Sequence, residues 1–483
     1  MIRVWADRHE AGVLAKMAAR GSTFSYSVDV DDNSAVSLTM PVRVQSWDTN
    51  FGLLPIFEMN MPEGALRERL QRKFAKATGA FDDLDLLSVV GRSQIGRIRY
   101  SGMKEFMDED VPFQSIDEIL NARRGNQLYT YLLDQFAVHS GVSGVQPKVL
   151  IRATESKLSD PKGRQSTSIQ SATHIVKFWE EGEYPDLAAN EYCCLLAAQR
   201  VGLDVPKFQI SADGGALVVE RFDFVDGNYK GFEDFCVLNG LNTAEKYKGG
   251  YEKRLFRRLR DFLPVTHAQE DLAKLFRLFV LNCAIRNGDA HLKNFGVIYN
   301  AMDEDIRLAP VYDLVTTWAY IPNDPMALTL SGSTNWPNKK ALTQLGHTRA
   351  GLSSAAINEI FERTADSMSD VAADMANYFV AREFEVSKQM ARAWESGLSQ
   401  SLEAVRGLHQ VKQTPPGRKS TLAKSDMAIL DLLRHSGGTV TTTQSALSKS
   451  LGIPTSTISK SLRRLSKKGI VERTGRKISL LRQ

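Results

Sequence analysis

The chain is 483 residues long, 43% hydrophobic and 24% charged, which describes a soluble globular protein of two to four domains with a sizeable core. Its four cysteines, Cys193, Cys194, Cys236 and Cys283, form no CxxC pair, so neither a zinc site nor a disulfide framework is expected and a reducing cytosol fits. The first residues are charged and lack the apolar core of a signal peptide, and no apolar run nears the ~20 residues that span a bilayer. A cytoplasmic protein without a membrane partner is expected. The net charge of +5 is unevenly placed: residues 412–483 carry 15 Lys and Arg against three acidic residues, leaving 46 basic and 53 acidic residues elsewhere. A mildly acidic body with a strongly basic tail points to a polyanion as the tail's partner.

Alternating apolar residues predict short strands at Thr23–Val30, Val36–Met40 and Ser93–Tyr100, with a helix at Pro62–Ala77. A second unit begins near Asn126, with predicted strands at Lys148–Arg152, His174–Phe178 and Ala216–Arg221 and a helix at Ala188–Val201. Beyond Gly249 the pattern turns helical, with an amphipathic helix at Ala268–Ile285 and two helices between Ser369 and Leu408. Leu308–Leu314 reads as a short apolar strand ending in a carboxylate, Asp313. A small β-rich lobe followed by a helical lobe is the order of a kinase fold. The boundaries expected are a β-rich subdomain over 1–110, a kinase domain over 111–410 whose N-lobe runs to Asp223, a linker over 411–424 and a small domain over 425–483. The linker contains Pro415-Pro416-Gly417, which cannot continue a helix.

Phosphoryl transfer asks a protein mainly for positioning and charge. One carboxylate orients the attacking hydroxyl, an amide and a second carboxylate hold Mg²⁺, and a lysine steadies the phosphates. Asp289 and Asn294, in Asn287-Gly288-Asp289-Ala290-His291-Leu292-Lys293-Asn294, have the D-x-x-x-x-N spacing of a kinase catalytic loop. Gly288 is expected to permit an unusual backbone there. By itself the octapeptide reads better as a helix cap and turn. Asp313, 19 residues beyond Asn294, reverses that weighting, because a hairpin would return it beside the loop as a second metal ligand. Lys177 on a β-branched strand, with Glu191 in the next helix, resembles the kinase Lys–Glu couple, although each alone reads as a solvated strand-edge or helix-start charge. The segment Ser140–Lys148 is neither a Walker A loop nor GxGxxG. A Gly-rich turn between strands can still cradle phosphates with backbone N–H groups, and Ser143, Gly144 and Lys148 are its candidates. Glu220, Phe222 and Asp223 end the last N-lobe strand where a hinge belongs, with backbone groups of Glu220 and Phe222 placed to meet adenine.

In order, GVQPK, THIVKF, a helix starting NEY, VVERFD, NGDAHLKNFGV and APVYDL resemble the HipA family of bacterial serine/threonine kinase toxins. Leu53-Leu54-Pro55 and Met61-Pro62-Glu63-Gly64 resemble its N-terminal subdomain, so the likeness spans residues 1–400. It implies an α+β kinase fold using ATP and Mg²⁺. Asp289 would be the catalytic base with His291 beside it, Asn294 and Asp313 would hold metal, Lys177 the phosphates, and Glu220, Phe222 and Asp223 the nucleoside. It also implies silencing by phosphorylation of a serine in the Gly-rich loop. Gly141 stands where the familiar serine would be, so Ser143 is the first autophosphorylation candidate and Ser140 the second. A protein substrate such as an aminoacyl-tRNA synthetase or another translation factor, and an antitoxin partner, follow from the same resemblance; a homodimer is compatible with it.

The tail predicts a helix at Asp426–His435 with Ser425 as cap, a second at Thr443–Leu451, a break at Gly452-Ile453-Pro454, and a third with Ile458, Leu462 and Leu465 inward. Predicted strands Ile470–Arg473 and Lys477–Leu480 flank the turn Thr474-Gly475-Arg476, completing a winged helix-turn-helix. The third helix would enter the major groove with Ser456, Thr457, Lys460 and Ser461 near base edges, while Arg463, Arg464, Arg473 and Arg476 would meet phosphates. The reading is an ATP- and Mg²⁺-dependent serine/threonine protein kinase of HipA type, acting on a protein and on itself, with a fused DNA-binding domain for autoregulation. A DNA-binding regulator with a nucleotide-sensing kinase-like domain, and a small-molecule phosphotransferase, are the alternatives.

Overall fold

The computed structural model describes all residues except 18–19, 79–80, 106, 108, 123–126, 154–155, 158–167, 180–183, 303–304, 381–385, 407, 409–423, 436–438, 468–470, 475–476 and 481–483. The expected linker therefore lies almost wholly outside the described residues. The chain forms two compact units, residues 1–410 and 411–483.

The larger unit opens with an antiparallel sheet of five strands, in the order Trp47–Thr49, Ser22–Tyr26, His9–Lys16, Ile2–Ala6, Ile98–Gly102. Period-two alternation puts Ile2, Val4 and Ala6 on one buried face. Three of these strands, Trp47–Thr49, His9–Lys16 and Ile2–Ala6, were not among those expected from the sequence. Two expected strands are corrected. Val36–Met40 holds only an isolated bridge between Ser37 and Met40, because the Ser37 hydroxyl and the Leu38 N–H are both taken by the buried Glu233 carboxylate, each at 2.7 Å. Regular pairing within Ser93–Tyr100 starts only at Ile98, since Gln94 bridges to Gly141 and the Gly96 N–H donates to Asp223.

A second antiparallel sheet follows, ordered Phe208–Ile210, Ala216–Glu220, His174–Phe178, Lys148–Ile151 and packed on the helix Leu187–Val201. One core cluster joins Val4, Phe24 and Phe57 of the first sheet's region to Val149, Val176 and Val218 of the second, so the packing is continuous across residue 110. The other large core surrounds the helices Val265–Ile285, Ser354–Val380 and Val386–Gly397, where Phe276, Phe279 and Trp394 are fully buried. Both cores remove apolar surface from water, the main force holding the lobes together. The expected strand at Leu308–Leu314 is reduced to Arg307–Leu308, and Asp313 stands beyond it in coil with a left-handed φ of 52°.

The smaller unit has helices Lys424–His435, Gln444–Leu451 and Thr455–Lys467 and a three-stranded sheet ordered Thr439–Thr441, Lys477–Leu480, Val471–Thr474. Ile458, Leu462 and Leu465 pack with Ile429, Leu430, Leu433, Leu447, Val471 and Ile478, as helical spacing requires. Gly452 turns the chain at φ 64° between the second and third helices. The fold class is therefore α+β, with a winged helix at the C-terminal end. Among the described residues no helix is long and apolar enough to cross a membrane.

Candidate active site

A cleft opens between the second sheet and the helical lobe. Its walls combine apolar side chains, Val142, Ile175, Leu195, Val219 and Val311, with charged ones, Lys148, Lys177, Glu191, Asp234, Lys293 and Asp313. That combination of apolar slot and convergent polar groups is what a ligand pocket requires.

The charged cluster is built by long-range contacts. The Lys177 ammonium, on His174–Phe178, lies 2.5 Å from Glu191 Oε1 and also donates to Asp313 Oδ1. Burial disfavours the Lys177 charge, but Asp313 and Glu191 override it and hold the lysine charged, with its pKa above the ordinary value. Burial likewise opposes ionisation of Asp313, yet Lys177 and then Lys148 keep its carboxyl well below the usual range. Glu191 is pushed up by burial, with Lys177 opposing. Lys148, directly opposite Lys177 in the sheet register, is 4% exposed and has no hydrogen bond or ion pair among the described residues. Burial pushes its pKa down. Gly144 has φ 112°, and a Cβ there would stand 2.5 Å from the Lys148 Nζ, so the Gly-rich turn folds directly over this ammonium. Ser143 lines the cleft, whereas Gly144 does not.

The loop after Val265–Ile285 is fixed from several sides. Arg286 ends the helix in a left-handed conformation at φ 58°, which costs roughly 1–2 kcal/mol for a non-glycine residue. Its guanidinium donates to Ser401, Gln400 and the Ser396 carbonyl and stacks on Trp318 and Trp336 at 5.1 and 4.9 Å. Gly288 has no left-handed φ; its need is space, since a Cβ would lie 2.1 Å from Asp324 Oδ2. The expectation of an unusual backbone there is corrected to one of steric clearance. Asp289 accepts from the Tyr247 hydroxyl at 2.7 Å. Burial raises its carboxyl above the ordinary value, with Tyr247 opposing. His291 is held down to about 3 by burial and then by Lys246, so it is neutral at physiological pH. Asn294 Oδ1 accepts the His291 N–H at 3.0 Å. None of Asp289, His291 and Asn294 is among the residues lining the cleft.

At the hinge, the Phe222 N–H has no hydrogen bond among the described residues, and the Phe222 ring meets Phe232 and Tyr312 at 5.5 and 5.9 Å. Glu220 is half-exposed and pairs with Lys207 at 3.1 Å. The expected nucleoside role of the Asp223 carboxylate meets a difficulty in the packing. Both its oxygens are engaged, by Arg221 Nε at 3.1 Å and by Arg221 and the Gly96 N–H at 2.6 Å. Ser140 is corrected as a phosphoacceptor candidate: it is fully buried, donates to the Phe136 carbonyl at 2.7 Å and accepts from Leu150 N–H at 2.8 Å. Sequence reasoning missed Tyr247, Glu63 and Lys293. Lys293 donates to the Met59 carbonyl at 2.8 Å, and Glu63 accepts the Gly144 N–H at 3.3 Å; no local pattern announces either contact.

In the smaller unit Ser456, Lys460 and Arg463 are exposed and Thr457 is half-buried on the third helix. Ser461 is buried, with its hydroxyl 2.8 Å from that of Ser425, which removes it from any groove-facing set. The side chains of Arg464 and Arg473, and all of Arg476, lie outside the described residues.

A β-rich lobe over a helical lobe, with a Lys–Glu–Asp cluster in the cleft between them, defines a kinase-type architecture. Residues 2–101 match the HipA N-terminal domain and residues 140–372 the HipA-like C-terminal domain. The chain belongs to the HipA family. Two proteins of Sinorhizobium fredii, Y4mE and Y4dM, each provisionally named a kinase, are 29% identical to it over 342 and 300 residues. These alignments cover 66% of this chain and 78% of Y4mE, and 58% of this chain and 66% of Y4dM. The HipA of Shewanella oneidensis MR-1, solved with HipB and operator DNA, shares the fold at a TM-score of 0.57 and 20% identity, covering 84% of this chain and 99% of that one. Residues 421–477 match the MarR family, so a MarR-type winged helix is fused to the kinase-type body.

Proposed function

We propose that the protein is an ATP- and Mg²⁺-dependent serine/threonine protein kinase whose fused winged helix binds DNA. The carrying observation is the buried meeting of Lys177, Glu191 and Asp313, drawn from a strand, a helix and a coil far apart in sequence. Beside it, the unpartnered Lys148 ammonium is a buried charge that an anionic ligand would satisfy, and phosphates fit both it and the Gly-rich turn. The apolar lining of the cleft and the free Phe222 N–H suit an adenine ring.

Among the described residues no three His, Cys, Asp or Glu side chains converge on a metal position. Magnesium at a phosphate site takes only one or two protein ligands, with phosphates and water completing its shell. The hard oxygens of Asp313, a third of whose side chain is exposed, and of Asn294 are the donors that fit. Magnesium bound there would neutralise charge on the phosphates. Lys177 and Lys148 steady the phosphates, Glu191 orients Lys177, and Asp289, with a raised pKa, accepts the acceptor's proton. Neutral His291, whose ring meets Tyr247 at 5.0 Å, supplies no charge. Ser143 is the autophosphorylation candidate that remains, and a translation factor such as an aminoacyl-tRNA synthetase is the substrate class, with an antitoxin protein as partner. Ser456, Thr457 and Lys460 read base edges, Arg463 meets phosphates, and Arg464, Arg473 and Arg476 join it there.

The test is incubation of wild type and Asp289→Asn with γ-labelled ATP, alone and with a cell lysate. Protein bands labelled only by the wild type support the reading. Label confined to small molecules favours a small-molecule phosphotransferase, and ATP binding without transfer favours a nucleotide-sensing regulator.

A further inference from the structure

The Asp289 carboxylate has one hydrogen-bond partner among the described residues, and that partner is a hydroxyl. Tyr247 donates to Oδ1 at 2.7 Å. Burial, and then Asp289 itself, push the Tyr247 pKa up, so the phenol keeps its proton and remains a donor. Its segment is anchored: the 3₁₀ turn Thr243–Glu245 is closed by the Asn242–Glu245 capping box, and the Lys246 carbonyl accepts the Leu292 N–H at 3.1 Å. The ring stands edge-on to His291 with centroids 5.0 Å apart. Yet the side chain is 49% exposed and does not line the nucleotide cleft. Only rotation of an exposed side chain is needed to free the carboxylate.

We propose that Tyr247 is a placeholder in the acceptor subsite: its hydroxyl occupies the position on Asp289 that a substrate hydroxyl must take, and keeps water off that carboxylate until an acceptor displaces it. This deepens the kinase reading and rests on it. In the transfer it regulates, the acceptor oxygen bonds to the γ-phosphorus and the bond from γ-phosphorus to the bridging oxygen breaks. ADP leaves with that electron pair, and the acceptor's proton passes to Asp289 and then to solvent. With water as acceptor the products are ADP and inorganic phosphate, a wasteful reaction that a phenol seated on the base suppresses. Tyr247 acts through Asp289 and is a positioning residue.

The test compares wild type, Tyr247→Phe and Tyr247→Ala in Mg-ATP hydrolysis with no added acceptor, beside calorimetric binding of Mg-ATP to each. Tyr247→Phe keeps the ring against His291 and removes only the donor. The turnover of hydrolysis should rise on the order of tenfold, the scale of one lost hydrogen bond to a charged group, with KM for Mg-ATP unchanged. Tyr247→Ala should move the same way. A merely structural Tyr247 would lower turnover or leave it unmoved. Unchanged or slower hydrolysis in both variants, in chains that bind Mg-ATP, overturns the proposal and leaves the kinase reading standing. A wild type that binds no Mg-ATP overturns that reading and the proposal with it.

Discussion

Replacing Lys148 with methionine should make the nucleotide-free protein more stable and the nucleotide complex weaker. The ammonium is 4% exposed, faces Lys177 across paired strands, and has neither a hydrogen bond nor an ion pair among the described residues. A buried ammonium with neither a hydrogen bond nor an ion pair costs up to several kcal/mol, partly relieved by its lowered pKa and by the attraction of Asp313, and methionine keeps most of the apolar stem. The nucleotide-free variant should gain about 1–3 kcal/mol, read as a higher denaturant midpoint at unchanged slope. A charge-assisted contact to a phosphate is worth about 1.5–3 kcal/mol, so Mg-ATP affinity measured by calorimetry should fall roughly 10- to 150-fold. The pH dependence has a definite sign. Lys148 in the folded chain has a pKa below its ordinary 10.5, so the unfolded state holds more protons in that window. Its contribution to stability therefore rises as pH climbs from the folded pKa toward 10.5. Lys148→Met should lack this rise. A variant that is less stable without nucleotide and binds Mg-ATP as tightly as wild type would refute the assignment of this lysine to phosphate.

Four further outcomes are expected. Glu191→Ala breaks a buried ion pair and leaves Lys177 with Asp313 alone, so the chain should lose about 3 kcal/mol in chemical denaturation. Glu233, fully buried with Ser37, Leu38 and Tyr299 on its oxygens, is raised by burial to about 6 from 4.5. Its folded state binds more protons between those values, so stability should fall by about 2 kcal/mol as pH rises from 4.5 through 6, then level off; Glu233→Gln should flatten that fall in thermal melts. Arg463→Ala should weaken DNA binding uniformly across sequences and reduce the slope of log affinity against log salt by about 1, whereas removing residues 412–483 should abolish salt-sensitive DNA binding and spare Mg-ATP binding.

The chemical parts were legible because each is a short local pattern. Asp289 and Asn294 keep a fixed spacing, Lys177 sits on a β-branched run, and the apolar face of the third tail helix repeats at helical intervals, so their element types follow from neighbouring residues alone. The amphipathic third helix, the Gly452 turn and the strand pair after it likewise needed no distant information. Partners were another matter. That Lys177 meets Asp313, that Arg221 and Gly96 consume both oxygens of Asp223, that Ser140 and Ser461 point inward, and that Tyr247 sits on Asp289 depend on contacts between residues remote in sequence. Even Gly288, readable as a turn glycine, owes its place to Asp324 pressing from another loop. Residue type and spacing determined which groups are candidates for that chemistry; the packing of distant segments decided which of their polar atoms are already engaged, because a buried polar atom takes whatever partner the fold places within reach.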